Sequence, residues 1–199
     1  MDWAEQKYDT LYRQLDFERK GLFQFLYKTL GNQKVLYPGC SFHITPSFYF
    51  SKVTYTDKSD EVARFFNQKE SVLRLIDGEK SYKEQCNLEF IHATFGKDEI
   101  KLNKEYGLLL SIFAGDITRY FLPYVKSAGY ILTSNHFSDL KYIQSRNFQL
   151  IGTIKADRKS VYRFVASDSG SASKNSSVKN NGKYIFRDNL TYFLYQTPD

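Results

Sequence analysis

The sequence predicts a single α/β domain whose sheet is mostly parallel and carries helices on both faces. Its 199 residues and 42% hydrophobic content are sufficient for one buried core. From residue 34 onward, short apolar runs alternate with mixed polar segments of helical length, which is typical of βαβ units. Towards the end of the chain, two β-prone runs lie close together and predict an antiparallel C-terminal hairpin.

Five apolar runs form the predicted parallel strands. They are residues 35–37, 53–56, 88–92, 108–113 and 130–133. The segments around them predict helices at 44–50, 60–66, 72–76, 117–126 and 139–146. Pro46 suits the first turn of its helix, because a backbone N–H there has no partner within the helix.

The two ends of the chain have different patterns. Apolar residues recur at helical steps from Tyr8 towards Gly31, which predicts two short helices or one helix bent at Gly21. Near the other end, residues 148–155 and 161–165 predict the hairpin. Residues 167–183 are rich in Ser, Asn, Gly and Lys and predict a flexible loop.

The last apolar segments follow that loop. Residues 184–186 and 191–196 are aromatic and β-prone, and they are predicted to add an antiparallel strand or hairpin at the edge of the sheet. The longest apolar stretch, 107–115, is shorter than the roughly 20 residues of a membrane-spanning helix. With no secretory signal pattern and with two isolated cysteines, Cys40 and Cys86, we expect a soluble cytoplasmic protein without membrane contact.

Positive charge is concentrated in one part of the chain. The whole sequence has a net charge of +6, whereas residues 141–187 alone hold ten Lys and Arg against Asp157 and Asp168, a net charge of +8. Such a concentration favours anionic partners, although a solvated surface and a charged loop would give the same composition.

The most informative motif lies where the first predicted strand ends. Residues 35–41 read Val-Leu-Tyr-Pro-Gly-Cys-Ser, an apolar strand followed by a glycine turn, after which a helix is expected. The carboxyl edge of an open parallel sheet is where such folds bind ligands. Asp57 ends the second strand, 18 positions after Gly39, where a carboxylate can accept hydrogen bonds from a ribose diol. An acid at this turn is equally compatible with a helix N-cap.

These residues resemble the class I S-adenosylmethionine-dependent methyltransferases, whose sheet is Rossmann-like. Val35, Leu36, Gly39 and Cys40 match the first strand and its cofactor loop in that family, and Asp57 matches the acid that holds the ribose. Three further segments resemble the third, fourth and fifth strands of the family. They are residues 88–94, 106–114 and 126–132, so the resemblance spans roughly residues 34–165.

The resemblance implies S-adenosylmethionine as cofactor and a set of site residues. The implied cofactor-binding residues are Tyr37, Gly39, Cys40, Ser41, Asp57, Lys58, Ala93, Thr94 and Ser111, with Ser111 near the transferred methyl group. Residues 1–32 would form an N-terminal helical lid over a Rossmann-like domain of residues 33–199. Candidate contacts to the methyl acceptor are Tyr8, Tyr12, Asn135 and His136, whereas no catalytic residue is assigned.

The sequence departs from the family pattern at four positions. Tyr37 replaces a common carboxylate, Ser41 and His43 replace glycines, and Thr94 replaces a frequent acidic partner of adenine. Side chains added to a glycine loop block close approach of its backbone to a ligand.

Other enzyme classes lack their motifs. A dinucleotide fingerprint would need glycines at Ser41 and Ile44, and the sequence contains no P-loop, zincin or hydrolase motif. His43, His92 and His136 would follow strands one, three and five. In a sheet ordered 3-2-1-4-5 the outer two would lie on the order of 19 Å apart, at about 4.8 Å per strand, too far to share a metal. No metal site is predicted.

Two functions remain open. The leading hypothesis is an S-adenosylmethionine-dependent methyltransferase acting on a small molecule or a nucleic acid. The alternative is a methyltransferase-like, non-catalytic binding protein whose basic C-terminal part holds RNA or another polyanion. Neither the methyl acceptor nor the oligomeric state follows from the sequence.

Overall fold

A mixed sheet runs through the computed structural model, which describes residues 1–97, 100–134, 139–156, 162–167 and 191–199. Within these residues there are eight strands: β1 (Lys34–Pro38), β2 (Lys52–Asp57), β3 (Asn87–His92), β4 (Tyr106–Ser111), β5 (Val125–Ser134), β6 (Gln149–Ala156), β7 (Tyr162–Ala166) and β8 (Thr191–Gln196). Their order is β3-β2-β1-β4-β5-β8-β6-β7.

The first five strands pair in parallel, in the order 3-2-1-4-5. All five predicted strands are confirmed, although β5 begins earlier than expected. Strands β6 and β7 form the predicted antiparallel hairpin. The fold class is therefore confirmed as a mostly parallel α/β sheet with an antiparallel C-terminal hairpin.

The position predicted for the last strand is wrong. Residues 191–196 were expected at the edge of the sheet, but β8 lies inside it, antiparallel to both β5 and β6. Tyr192, Phe193, Leu194 and Tyr195 are all buried. A continuous apolar run of this kind matches a strand covered on both faces, because an edge strand usually keeps alternate residues in water. The edge is formed by β7 instead.

Helices cover both faces of the sheet, as predicted. The elements are α1 (Trp3–Tyr8), a π-helical turn (Asp9–Arg13), α2 (Lys20–Leu30), a 3-10 turn (Thr45–Phe48), α3 (Asp60–Asn67), α4 (Lys69–Asp77), α5 (Thr118–Phe121), a second 3-10 turn (Leu122–Tyr124) and α6 (Asp139–Gln144). The elements up to α4 pack on what we call the first face, and α5 and α6 pack on the second face. None of the helices in the described ranges has the length and apolarity needed to span a bilayer.

Alternation along β1 divides the core between these faces. Val35 and Tyr37 join the apolar cluster of the first face, whereas Leu36 joins that of the second. The first face is rich in aromatic contacts, such as Phe66 stacked on Phe90 with ring centroids 4.4 Å apart. Each fully buried side chain of this size contributes roughly 1.5–3 kcal/mol to stability.

Two predicted crossover helices are much shorter in the structure. Residues 44–50 contain only the 3-10 turn Thr45–Phe48, and the helix predicted at 117–126 is divided into α5 and a 3-10 turn that ends at Tyr124. In the first case the Ser47 hydroxyl lies 2.6 Å from the Tyr55 hydroxyl, in a Thr-Pro-Ser sequence with low helix propensity. No α-helix therefore follows the Gly39 turn, contrary to the prediction.

The chain boundaries predicted around the lid and the loop have different outcomes. Gly31 ends α2 with a φ of 71°, a left-handed conformation that glycine adopts readily at the end of a helix. The predicted flexible loop, residues 167–183, lies outside the described ranges except for Ser167, so it stays a prediction. The β-prone segment predicted at residues 184–186 also lies outside these ranges. The division into a lid of residues 1–32 and a domain of residues 33–199 also stays a prediction.

Candidate functional site

The carboxyl ends of β1, β2 and β4 meet at one edge of the sheet, where strand order reverses between β1 and β4. Open α/β sheets bind ligands at such a switch point. The chain leaves β1 through Gly39, whose φ is 63°, and turns towards β2. The Gly39 backbone N–H donates to the Thr56 carbonyl oxygen over 2.7 Å. The loop after β1 is thereby fixed to the end of β2.

Asp57 lies beside this loop, as the sequence predicted. Its Oδ2 accepts a hydrogen bond from the Ser41 backbone N–H at 2.9 Å, and its Oδ1 accepts one from the Ser59 backbone N–H at 3.0 Å. Hydrogen bonds from backbone amides to a carboxylate are charge-assisted and comparatively strong. Both oxygens of Asp57 therefore stabilise the protein's own turns.

Gly39 packs closely against Ala114 at the switch point. A Cβ atom built on Gly39 would overlap the Cβ of Ala114 and would lie 3.3 Å from the Ala114 Cα. Ala114 belongs to the segment that follows β4. Glycine is required at position 39 because any side chain would overlap the Ala114 methyl group.

A stack of aromatic rings fills the space above the loop. The Tyr12 ring lies parallel to the His43 ring at 4.8 Å, and the Tyr8 ring stacks on Tyr12 at 5.3 Å. Tyr37 extends from β1 and contacts the His43 ring edge-on. The sequence predicted Tyr8, Tyr12 and Tyr37 near this site, and the structure brings them together with His43.

His43 is buried and held in one tautomer. Its Nε2 lies 3.1 Å from the Glu18 carbonyl oxygen, which can only accept, so Nε2 carries the proton. Its Nδ1 then accepts from the Tyr37 hydroxyl at 3.0 Å. Burial, together with the nearby positive charge of Arg19, lowers the pKa of His43 to about 3. His43 is therefore neutral at physiological pH.

The hydroxyls and the thiol around His43 are poor nucleophiles. Burial raises the pKa of Tyr12 to about 12, and it also raises the pKa of Tyr37 and of the Cys40 thiol. Cys40 is only 1% exposed. Because a thiolate rather than a thiol reacts, these groups favour packing and hydrogen bonding over covalent chemistry.

Ser111 is placed apart from the loop residues. Because side chains alternate along β4, Ser111 lies on the second face, where its hydroxyl donates to the Asp139 carboxylate. Thr118 donates to the same carboxylate through its hydroxyl and, at 3.1 Å, through its backbone N–H. Asp139 therefore ties β4, α5 and α6 together. The sequence indicated Asp139 only as the first residue of the helix predicted after the fifth parallel strand.

Asp139 is only 1% exposed. Burial raises its pKa to about 6, an effect opposed by the hydrogen bonds from Thr118 and assisted by the negative charge of Asp116. The ionised form is therefore penalised in the folded state but not in the unfolded chain.

The remaining predicted residues are divided between the edge and its surroundings. Ala93 is buried, and its backbone N–H donates to the Asp57 carbonyl oxygen at 3.0 Å. Lys58 is exposed, and its carbonyl oxygen accepts from His92 Nε2. The Thr94 carbonyl oxygen accepts from the Lys97 backbone N–H. Asn135 and His136 lie outside the described residues. The role of all these residues in cofactor binding stays a prediction.

Sequence reasoning missed Arg19, which lies at this edge. Its Nε donates to the Tyr192 hydroxyl at 3.0 Å, and its guanidinium lies 4.4 Å from the centroid of the Phe113 ring. These partners come from β8 and from the segment after β4, far from Arg19 in the sequence. No local pattern could have found them.

Alanine substitutions at Gly39 and Gly115 distinguish the cost of steric overlap from the cost of backbone strain. We expect Gly39→Ala to lower the free energy of unfolding by roughly 2–4 kcal/mol, because it adds both left-handed strain and overlap with Ala114. Gly115→Ala should cost only about 1–2 kcal/mol, since its φ is 78° but nothing lies within 4 Å. Urea denaturation measures both. The added substitution Ala114→Gly should restore part of the loss at Gly39, and no restoration would contradict the contact.

The buried carboxyl of Asp139 predicts a pH-dependent stability. A folded-state pKa of about 6 against 3.8 unfolded means that the group's stabilising contribution is complete below pH 3.8 and is lost as the pH rises through 6. Relative to Asp139→Asn, the wild-type free energy of unfolding should fall by roughly 1–3 kcal/mol between pH 4 and pH 7. Denaturation at several pH values measures it. Asp60→Asn, at an exposed carboxylate, controls for net charge. The expectation is refuted if the difference in free energy of unfolding between the wild type and Asp139→Asn does not change with pH.

Comparison with known proteins places the fold. No protein-family model matches the sequence, and no curated protein matches it significantly. The chain is similar in structure to the N-methyltransferase NodS from Bradyrhizobium japonicum WM9, with a TM-score of 0.56 and 8% identity over 94% of this chain and 99% of that one. It is also similar to TehB from Haemophilus influenzae, with a TM-score of 0.56 and 15% identity over 98% and 67% of the two chains.

A third similar structure is a SAM-dependent methyltransferase from Methanosarcina mazei, with a TM-score of 0.52 and 13% identity over 84% of this chain and 93% of that one. At such low identity these likenesses establish architecture alone. Together with the strand order, they show that this chain has the class I methyltransferase fold.

Proposed function

We propose that this chain is a non-catalytic binding protein built on the methyltransferase fold. The observation that carries the proposal is the close packing at the switch point, where Gly39 lies against Ala114 and the Tyr12 ring stacks on His43. S-adenosylmethionine needs an open cleft at that edge for its methionine end and its adenosine. The residues found there do not fit the cofactor in this arrangement, so we derive no methyl-transfer step.

The state of Asp57 supports the same proposal. A carboxylate that holds a ribose must turn its oxygens to the two hydroxyl groups. In this chain each oxygen already accepts from a backbone amide, that of Ser41 or that of Ser59. A bound ribose would have to share the carboxylate with both amides, using only the remaining lone pairs.

The aromatic stack is a second obstacle to the cofactor. Tyr12 and His43 are in parallel contact above the loop, and the Tyr12 hydroxyl also bonds to Ser41 and Phe42. The substitutions that the sequence shows in the glycine loop, Ser41 and His43, are therefore used for internal packing.

Methyl transfer from S-adenosylmethionine is the second candidate. Two observations favour it: the fold is similar to that of proteins described as methyltransferases, and Asp57 occupies the position of the ribose-binding acid. It would require residues 39–43 to leave both Asp57 and Ala114, and the methyl acceptor would remain to be found.

A polyanion such as RNA is the proposed ligand of the binding protein. Residues 141–187 have a net charge of +8 in the sequence. Within the described part of this region, Lys155 and Arg163 are exposed and face one another across the β6–β7 hairpin. Two neighbouring cationic side chains on one exposed surface attract an anionic ligand such as a phosphate backbone.

Calorimetric titration separates the two candidates. We expect no saturable heat with S-adenosylmethionine at about 1 mM, because Gly39 packs on Ala114 and Tyr12 packs on His43 at that edge. Asp57→Ala should lower the free energy of unfolding by roughly 1–3 kcal/mol through loss of two charge-assisted bonds, whereas Asp60→Ala, at a fully exposed side chain, should change it little. Saturable cofactor binding that Asp57→Ala abolishes would instead establish the methyltransferase candidate.

Fluorescence anisotropy with a labelled single-stranded RNA of about 20 nucleotides tests the ligand. Affinity should fall steeply as salt rises from about 50 to 200 mM, because phosphate contacts release counterions. The double variant Lys155→Ser and Arg163→Ser should weaken binding and reduce the salt slope by about 1–2. A matched variant, Lys28→Ser and Lys52→Ser, removes two exposed lysines elsewhere and should not. Equal effects of both variants, or no binding at low salt, would reject this surface.

A further inference from the structure

The N-terminal residues 2–19, which we call the strap, lie across the carboxyl edge of the sheet. The Tyr8 hydroxyl lies 2.9 Å from Thr45 Oγ1, in the loop after β1. The Tyr12 ring stacks on His43, and the Arg19 guanidinium reaches Phe113 and Tyr192. The strap therefore covers the ends of β1 and β4 together.

The strap ends at two residues with left-handed backbone. Asp16 and Arg19 both have a φ of 54°, and neither is glycine. Each such residue costs roughly 1 kcal/mol, less for Asp than for Arg, and the cost is maintained only by the surrounding contacts. Leu15 and Asp16 are also exposed, so the chain can bend here without dismantling a core. These features are those of a hinge.

His43 fastens the strap to the loop. Its Nε2 donates to the carbonyl oxygen of Glu18, which belongs to the strap, and its ring is covered by Tyr12, which also belongs to the strap. On its other sides the ring contacts Tyr37 from β1 and Phe23 from α2. If the strap opened, His43 would lose its contacts with Glu18 and Tyr12, and that side of its ring would be exposed to solvent.

A charged imidazolium does not suit this position. It must donate from both nitrogens, so the buried Tyr37 hydroxyl would have to change from donor to acceptor at Nδ1 and would lose the acceptor of its own hydrogen. The charged group facing His43 is Arg19, whose positive charge repels an imidazolium, and the carboxylate of Glu18 is engaged by Tyr8, Arg13 and Lys20. Acid therefore disfavours the closed strap.

We propose that residues 2–19 form an acid-released strap, in which protonation of His43 opens the hinge at Asp16–Arg19 and uncovers the loop after β1. The opened edge presents Tyr37, Ser41 and His43 to solvent.

The size of the effect follows from linkage. The pKa of His43 is lowered to about 3 in the closed state, against 6.5 for a solvated histidine. Because the open state binds the proton more strongly, the closed strap loses stability as the pH falls below 6.5. The equilibrium constant for opening should rise about 30-fold between pH 8 and pH 5.

Native-state hydrogen exchange of the full chain, followed by mass spectrometry and corrected for intrinsic exchange rates, measures this constant. We expect amides of residues 3–17 to exchange through an opening at least 10-fold more frequent than that of β4. Their opening constant should rise about 30-fold from pH 8 to pH 5. In His43→Gln, which keeps a donor and an acceptor but cannot become charged, the rise should disappear. His92→Gln, at an exposed histidine, should retain it.

Arg19→Gln provides a second variant, needed if His43→Gln does not fold. It removes the positive charge that disfavours an imidazolium at His43, so the rise should become smaller than in the wild type. The proposal fails if strap and β4 amides exchange at the same rate, if the opening constant is equal at pH 5 and pH 8, or if His43→Gln keeps the wild-type rise.

Discussion

The bond between the Asp57 carboxylate and the Ser41 backbone N–H constrains the whole carboxyl edge. It fixes the loop after β1 to the end of β2, and the Ser59 amide on the other carboxylate oxygen fixes the entry to α3. With the loop held there, Gly39 meets Ala114 and Tyr37 meets His43. One carboxylate thus holds the loop against the end of β2, because charge-assisted hydrogen bonds to backbone amides are costly to break.

The packed surface depends on contacts from distant parts of the sequence. The N-terminal segment supplies Tyr8 and Tyr12, the segment after β4 supplies Ala114, and β8 supplies Tyr192. Tyr12 stacks on His43 beside the loop after β1, so residues from the N-terminal segment pack directly on that loop. On the second face, Asp139 performs a similar joining function between β4, α5 and α6. Both arrangements join elements that are distant in the sequence.

Prediction and structure agree where an element depends on interactions between residues close in sequence, and they differ where it depends on distant ones. The strands were predicted well because alternation and apolar runs are local signals that the structure uses directly, as at Val35, Leu36 and Tyr37. The crossover at 44–50 was predicted as a helix and is a 3-10 turn, because Ser47 bonds to Tyr55 and Thr45 to Tyr8. Those partners lie 8 and 37 residues away, beyond any helical pattern.

The sequence by itself determined the α/β class, the parallel character of the first five strands, the hairpin, and the adjacency of Gly39 and Asp57. These follow from periodicity and from the rule that parallel strands end at one edge. Only the tertiary structure decided the order of the strands, including the entry of β8 between β5 and β6, the bonds of Asp57 to backbone amides, and the packing of Gly39 against Ala114. The physical reason is that side chains distant in sequence compete for the same space and the same hydrogen bonds, and that competition is settled only when the chain is packed.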